Sequence, residues 1–349
     1  MKNFLKFITV LTMFVLLVAC STSNSNTSNE ASNETPEKEE QQVRELKFSM
    51  SVGETSPWTK GAFKFAELVE EKSDGKIKVT VYPNGQLAGG NQITELELLQ
   101  NGSIDITWHS SIILSSIDER FIGFSMPWIA SSFEDMEKIM DGPGKQVWED
   151  LSSKGVVPLD GYSSSGFRQI TTKNQPIEKP EDLEKLKIRV PGISMYTSIF
   201  NELGANPTTM SFGELFVALQ QGAVDGQENP ISLIEASGYD EVQKYLSIWN
   251  YSADVIGMLI NKELWESLDS EEQSILNEAA QEAAQEHRKM QQEADQTSLD
   301  ELSKTMEITE LNQEQINEFR KVMEPVYEEY KSIVGEDLIK EFQDAVSAN

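Results

Sequence analysis

The sequence predicts an α/β fold, with two doubly wound α/β domains joined by hinge strands and braced by one long helix. Three observations carry this. Apolar residues recur with period 2 and period 3.6 in alternation along the chain, the pattern of strand, helix, strand. Roughly 300 residues follow an N-terminal leader and tether, a length that reads as two domains. From Asp269 to Met323 neither Gly nor Pro interrupts a helical pattern, and its first thirty-odd residues would reach about 50 Å, longer than one domain.

The leader opens with Lys2 and Lys6, and Phe7 to Val18 is an apolar run broken by Thr9 and Thr12. That run is shorter than the roughly 20 residues a membrane span needs, so residues 1–19 read as a signal peptide. Leu17-Val18-Ala19-Cys20 resembles the lipobox of bacterial lipoproteins, which implies that Cys20, the only cysteine in the chain, carries a lipid. Ser21 to Gln42 is rich in Ser, Asn, Thr, Glu and Gln and holds no aromatic residue. Such a stretch buries too little apolar surface to fold, so residues 20–43 read as the lipidated Cys and a flexible tether, spanning roughly 25 Å on average.

The elements follow in order. Glu45 to Val52 is a strand, Lys60 to Lys72 an amphipathic helix and Lys76 to Tyr82 a second strand; the helix Asn91 to Gln100 and the strand Ile104 to Trp108 continue the alternation. Helices near Phe133 to Met140 and Gly144 to Lys154 precede a strand at Val156 to Leu159. The second domain begins near Gly166, with strands at Phe167 to Thr171, Lys187 to Val190, Asn206 to Thr208 and Ala223 to Gln227, and helices at Met195 to Leu203 and Phe212 to Gln221 between them. Val242 to Asn250 and Ala253 to Asn261 are apolar runs expected to cross back as hinge strands. The long helix from Asp269 should break near Ile308 to Asn312. The resulting division is 44–165 plus 255–294 for domain I and 166–254 plus 295–345 for domain II.

Composition narrows the function. Fifty-eight acidic residues against 29 basic give a net charge of −29, which repels a polyanion and excludes nucleic acid as an expected partner. The chain has two histidines, His109 and His287, and neither lies near a second His or a Cys at metal-ligand spacing, so no metal site is expected. His287 fits the buried face of the long helix. Gly142-Pro143-Gly144-Lys145 fails as a phosphate loop, because Ile139 stands where the first Gly belongs and Gln146 where Ser or Thr belongs. Neither a cofactor nor a catalytic group is expected.

Lys187 to Pro230 is the stretch with chemistry in it. In Lys187-Ile188-Arg189-Val190-Pro191 the alternation sends Ile188 and Val190 to the core and Arg189 away from it, with Pro191 ending the strand. Asp225-Gly226-Gln227-Glu228-Asn229-Pro230 brings an amide to the end of another strand. Ligands of open α/β sheets sit outside the carboxyl ends of the strands, where both fall. A guanidinium presents a planar fork that matches a carboxylate bidentately. Arg168, in Gly166 to Thr172, is a second candidate.

These segments resemble the extracytoplasmic solute-binding proteins of TRAP transporters, of the C4-dicarboxylate and sialic-acid type. The resemblance runs from Leu46 to the C-terminus and is most specific in G-F-R-Q-I-T-T (166–172), L-K-I-R-V-P (186–191), L-G-A-N-P-T-T-M-S-F (203–212) and A-L-Q-Q-G-A-V-D-G-Q-E-N-P (218–230). It implies a periplasmic-binding-protein type of fold with a ligand cleft between the domains. It also implies that Arg189 pairs with a ligand carboxylate, with Arg168 as a second cation, Asn229 and Glu228 in the same turn, and Phe212 and Trp108 as apolar or stacking walls. Sialic-acid members carry acidic residues where this chain has His109-Ser110-Ser111 and Ala88 to Asn91. The expected ligand is therefore a C4-dicarboxylate or a sugar acid, with His109, Ser110 and Asn91 at its far end. The partners implied are TRAP membrane subunits, and the membrane through the lipid anchor only, for a monomeric protein outside the cell. The competing expectation is an extracellular lyase or hydrolase of acidic small molecules, which the scarcity of His and the missing nucleophile motifs disfavour.

Overall fold

The computed structural model describes residues 43–347. The leader, Cys20 and the tether up to Gln42 lie outside the described residues. The described residues group as one compact unit, built as two α/β lobes on a shared ten-stranded sheet whose main path runs through residues 77–82, 44–49, 106–110, 253–261, 156–172, 226–230, 187–190 and 206–209, with 245–248 beside 156–172 and 307–310 beside 245–248.

The first lobe is the strand-helix alternation. β1 (Arg44–Ser49) lies parallel to both β2 (Ile77–Tyr82) and β3 (Ile106–Ser110), with α1 (Pro57–Lys72) and α2 (Gln92–Gln100) as the connections. α1 starts where it does because the Ser56 side chain accepts from the Trp58 amide and Pro57 sits in the first turn, where its missing N–H costs nothing. Its buried stripe of Trp58, Ala62, Phe65 and Val69 packs with Phe48, Ile106 and Trp108. Three helices, α3 (Ser111–Leu114), α4 (Phe133–Asp141) and α5 (Lys145–Glu149), lead to β4 (Val156–Thr172).

The second lobe holds β5 (Lys187–Val190), α6 (Ser194–Glu202), β6 (Asn206–Thr209), α7 (Leu215–Gln221), β7 (Gly226–Pro230), α8 (Ile231–Ala236) and β8 (Tyr245–Ile248). The chain returns through β9 (Ala253–Asn261) and α9 (Lys262–Ser267) to α10 (Ser270–Leu302), then β10 (Glu307–Glu310), α11 (Gln313–Val334) and α12 (Glu336–Ser347). Asp269 opens α10 with a capping box closed by Glu272. The N-terminal half of α10 packs against α1 through Leu276, Ala280 and Ala283; its far end places Leu299 and Leu302 against the second lobe. It braces both lobes.

The connecting strands differ from expectation. The two strands expected at Val156 to Leu159 and Phe167 to Thr171 are one 17-residue strand, β4, because the turn-rich Asp160 to Gly166 stays paired with β9 across two register irregularities. β4 pairs with β9 in its first half and with β7 and β8 in its second, so β4 and β9 are the strands that cross between lobes. β8 does not cross; it remains in the second lobe between β4 and β10. α10 stops at Leu302 rather than continuing toward Ile308, because Glu307 to Glu310 is drawn into parallel pairing with Tyr245 to Ile248.

Candidate functional site

Three adjacent strands of the second lobe bring the basic residues together. β7 lies between β5 and β4, parallel to the first, with Arg189 level with Gln227, and antiparallel to the second, with Gln169 opposite Asn229 and Arg168 opposite Pro230. Arg189, Asn229 and Arg168 thus share one edge, at the carboxyl ends of β5 and β7. The facing wall comes from the carboxyl ends of β1 and β3: Val52 and Trp58 after β1, Ser110, Ile112 and Ile113 at the end of β3, with Gln92 at the start of α2. Together with Pro191, Phe212, Leu233 and Asp254 they line a small pocket.

Arg168 is 3 % exposed and almost fully engaged. Its Nη1 donates to Asp254 Oδ2 at 2.8 Å, its Nη2 to Glu228 Oε1 at 2.9 Å, to the Glu228 carbonyl at 2.7 Å and to Asn229 Oδ1 at 3.1 Å, and its Nε to Glu228 Oε2. The Tyr196 ring lies 5.5 Å from the guanidinium carbon. Burial alone would lower this guanidinium's pKa, but Glu228 and Asp254 outweigh it and hold the proton well above the ordinary range. Glu228 also accepts from Tyr251 Oη at 2.7 Å, and Ser110 Oγ donates to Asp254 Oδ1 at 2.5 Å. For Asp254 burial dominates and raises the pKa, against the pull of Arg168 and Ser110.

Arg189 is different. It is 2 % exposed, yet its Nε and Nη2 both donate to the Met210 carbonyl, at 3.3 and 2.9 Å, and no acidic side chain pairs with it among the described residues. Its Nη1 has no protein acceptor there. Burial lowers its pKa to about 10, so it stays charged at neutral pH. A buried guanidinium held by one carbonyl is a cation whose solvation is incomplete, and an anion in the pocket would complete it.

Of the residues the sequence singled out, the structure brings Arg168, Arg189, Asn229, Phe212 and Ser110 to this pocket. Asn91 stands at its mouth, in an adjoining depression with Arg189 and Phe212, but its Oδ1 is used as the cap of α2, accepting from the Ile93 and Thr94 amides. Glu228 lies behind Arg168 and does not line the pocket. Trp108 is likewise not a wall: it packs in the first lobe against His287, ring centroids 4.9 Å apart, and crowds Gly61. His109 points to the other side of β3, fully buried with Nε2 3.7 Å from Glu95 Oε2, and burial lowers its pKa to about 3. The period of 2 along β3 explains the split. Ser110 reaches the pocket because it ends the strand, His109 goes to the opposite face, and Trp108 lies one step deeper on Ser110's own side.

Sequence reasoning missed Asp254, Gln92, Trp58 and the apolar side chains of the facing wall. Asp254 did carry a signal, as the one acid in the apolar run Ala253 to Asn261, where a charge has to be paired. The others carried none, being ordinary residues just past strand ends.

The rim is closed by backbone. The Gly213 N–H donates to the Gly90 carbonyl at 3.2 Å, and a Cβ on Gly90, which has φ +73°, would fall 2.8 Å from Gly213 Cα. Glycine on both sides allows the lobes to touch there.

Known proteins resemble the chain over most of its length. A profile described as "Bacterial extracellular solute-binding protein, family 7" matches residues 48–333. The C4-dicarboxylate-binding protein DctB of Bacillus subtilis is 33% identical over 298 residues, covering 84% of each chain. Among solved structures, the sugar acid binding protein DctPAm of Advenella mimigardefordensis, in complex with galactonate, is 31% identical with a TM-score of 0.85, covering 88% of this chain and 98% of that one. A TRAP periplasmic solute binding protein of Sulfurospirillum deleyianum with bound succinate is also 31% identical, with a TM-score of 0.82, covering 86% of this chain and 98% of that one.

Proposed function

The chain belongs to bacterial extracellular solute-binding protein family 7, and from that premise we propose that it captures a carboxylate-containing organic acid outside the cell and delivers it to a TRAP-type permease. The single observation that carries this reading is Arg189, buried in the pocket with no acidic partner among the described residues. In this reading the ligand carboxylate completes the guanidinium's fork, Asn229 and Arg168 flank it, Phe212 and Trp58 cover it, and Ser110 and Gln92 meet its far end. Related proteins bind C4-dicarboxylates and sugar acids by name, and the ligand here is drawn from the same chemistry.

The lobes, taken as 44–165 plus 255–294 and 166–254 plus 295–345, close over the ligand by flexing at β4 and β9. A lipid on Cys20 and the tether that follows would hold a monomeric protein at the membrane while leaving it free to reach the permease. No step of chemistry on the ligand is part of this reading.

Arg189→Lys is expected to weaken binding of the best ligand tenfold or more with an unchanged fold, because an ammonium loses the bidentate geometry. Titration calorimetry on a ligand found by a thermal-shift screen of dicarboxylates, uronates and aldonates measures this. Equal affinities for the two proteins would remove Arg189 from the clamp.

A further inference from the structure

We infer that the pocket selects singly charged acids over dianions, so that its ligand carries one carboxylate and an uncharged remainder. This rests on the reading that a carboxylate sits at Arg189.

The argument is a count of charges. Among the described residues, three ionisable groups line the pocket, Arg168, Arg189 and Asp254, and a fourth, Glu228, stands directly behind Arg168. Arg168 is answered twice, by Glu228 and by Asp254, within hydrogen-bonding distance of both. Arg189 is the remaining cation, and these four groups sum to zero before any ligand arrives. The other titratable groups packed against them, Tyr196, Tyr239 and Tyr251, all have pKa values raised by burial and are neutral at physiological pH.

One ligand carboxylate meets Arg189 directly. A second one meets no further cation among the described residues, because the facing wall is Val52, Trp58, Ile112 and Ile113, with Gln92 and Ser110 as its neutral polar groups. Ser110 is already committed to Asp254, so a carboxylate brought near it faces another carboxylate. Removing such a charge from water without a counter-ion costs several kcal/mol even after relaxation, whereas a hydroxyl or a carbon chain on that wall carries no comparable penalty. Dianions have one escape: uptake of a proton, by the ligand or by Asp254, which burial already inclines toward its neutral form.

The test is calorimetry on the mature protein at pH 8 with paired acids of similar size, 2-hydroxybutanoate and an aldonate against succinate and malate, repeated in buffers of different ionisation enthalpy. The best mono-anion is expected to bind at least tenfold more tightly than either dianion, and any dianion that binds is expected to take up about one proton. Succinate within tenfold of the best mono-anion, with no proton uptake, overturns the inference. Gln92→Lys supplies the missing cation at the cleft mouth and is expected to shift the ratio toward succinate by about tenfold; an unmoved ratio counts against charge as the selector. Failure of every acid to bind would instead overturn the carboxylate reading, and this inference with it.

Discussion

Arg168 and Arg189 are both buried guanidiniums, and their partners give them opposite sensitivities. Arg168 holds two carboxylates, so Arg168→Met leaves Glu228 and Asp254 buried beside each other without a counter-charge. Breaking a buried pair on one side typically costs about 3–5 kcal/mol, and urea denaturation of the ligand-free protein should show a loss of that order. Arg189 has no acid to strand, so Arg189→Met should leave the urea midpoint nearly unchanged while abolishing binding. An equal loss of stability in both variants would contradict the division of labour. At this scale the sequence was informative about Arg189 and Asn229, whose positions at strand ends follow from Pro191, from Pro230 and from the alternation around them, and less so about Arg168, which lies inside β4. It was misleading about Trp108 and His109. A strand's period says which residues share a face, but which face meets the cleft depends on what packs against the sheet.

Between residue and molecule, the elements that matter most are the rim turn Gly85 to Gly90 and the segment Phe212 to Glu214. Their contact is between two glycine backbones, so a side chain there acts as a wedge. Gly213 has an ordinary φ, yet a Cβ on it would lie 3.0 Å from Gly90 Cα. Gly213→Val is therefore expected to hold the lobes apart and weaken ligand affinity about tenfold, with little change in stability of the ligand-free form; calorimetry and a urea titration separate the two effects. Unchanged affinity would show that closure does not use this contact. Strand and helix positions were largely legible: β9 spans Ala253–Asn261 as its apolar run indicates, and Asn91 and Asp269 cap the helices they precede. The end of α10 was not. Ser303 to Met306 contains no residue that forbids a helix, and the stop comes from strand pairing between β10 and β8, which lie some 60 residues apart.

Over the whole molecule, buried carboxyls set how stability depends on pH. Asp295 on α10 accepts from Gln291 at 2.8 Å and also interacts with Ser232, and its Oδ2 sits where a Cβ on Gly166, at φ +97° in the crossing strand, would have to go. Burial raises its pKa from 3.8 to about 7. A carboxyl whose folded pKa is raised binds more protons folded than unfolded between those two values, so its contribution to stability is present at low pH and is lost as pH climbs through about 7. Burial raises Glu95 and Asp254 in the same direction. For Asp118 and Asp135 burial pushes the pKa up, but hydrogen bonds and nearby cations outweigh it and hold it down, so their stabilisation is lost only as pH falls through the acid range below about 4. Denaturation of the ligand-free protein at pH 5, 6, 7 and 8 should show stability declining across this range, and Asp295→Asn should flatten the decline. A mutant curve parallel to that of the native protein would assign the pH dependence elsewhere.

The sequence by itself determined the two α/β lobes, the long bracing helix and the cationic strand ends, because periodicity, caps and prolines act within a few residues of where they stand. The opposing wall of the cleft, the pairing of Arg168 with Glu228 and Asp254, and the lone charge of Arg189 were decided only by the tertiary structure. Those features depend on side chains brought together from strands 60 to 90 residues apart, and nothing local in the chain records which distant carboxylate will neutralise which guanidinium.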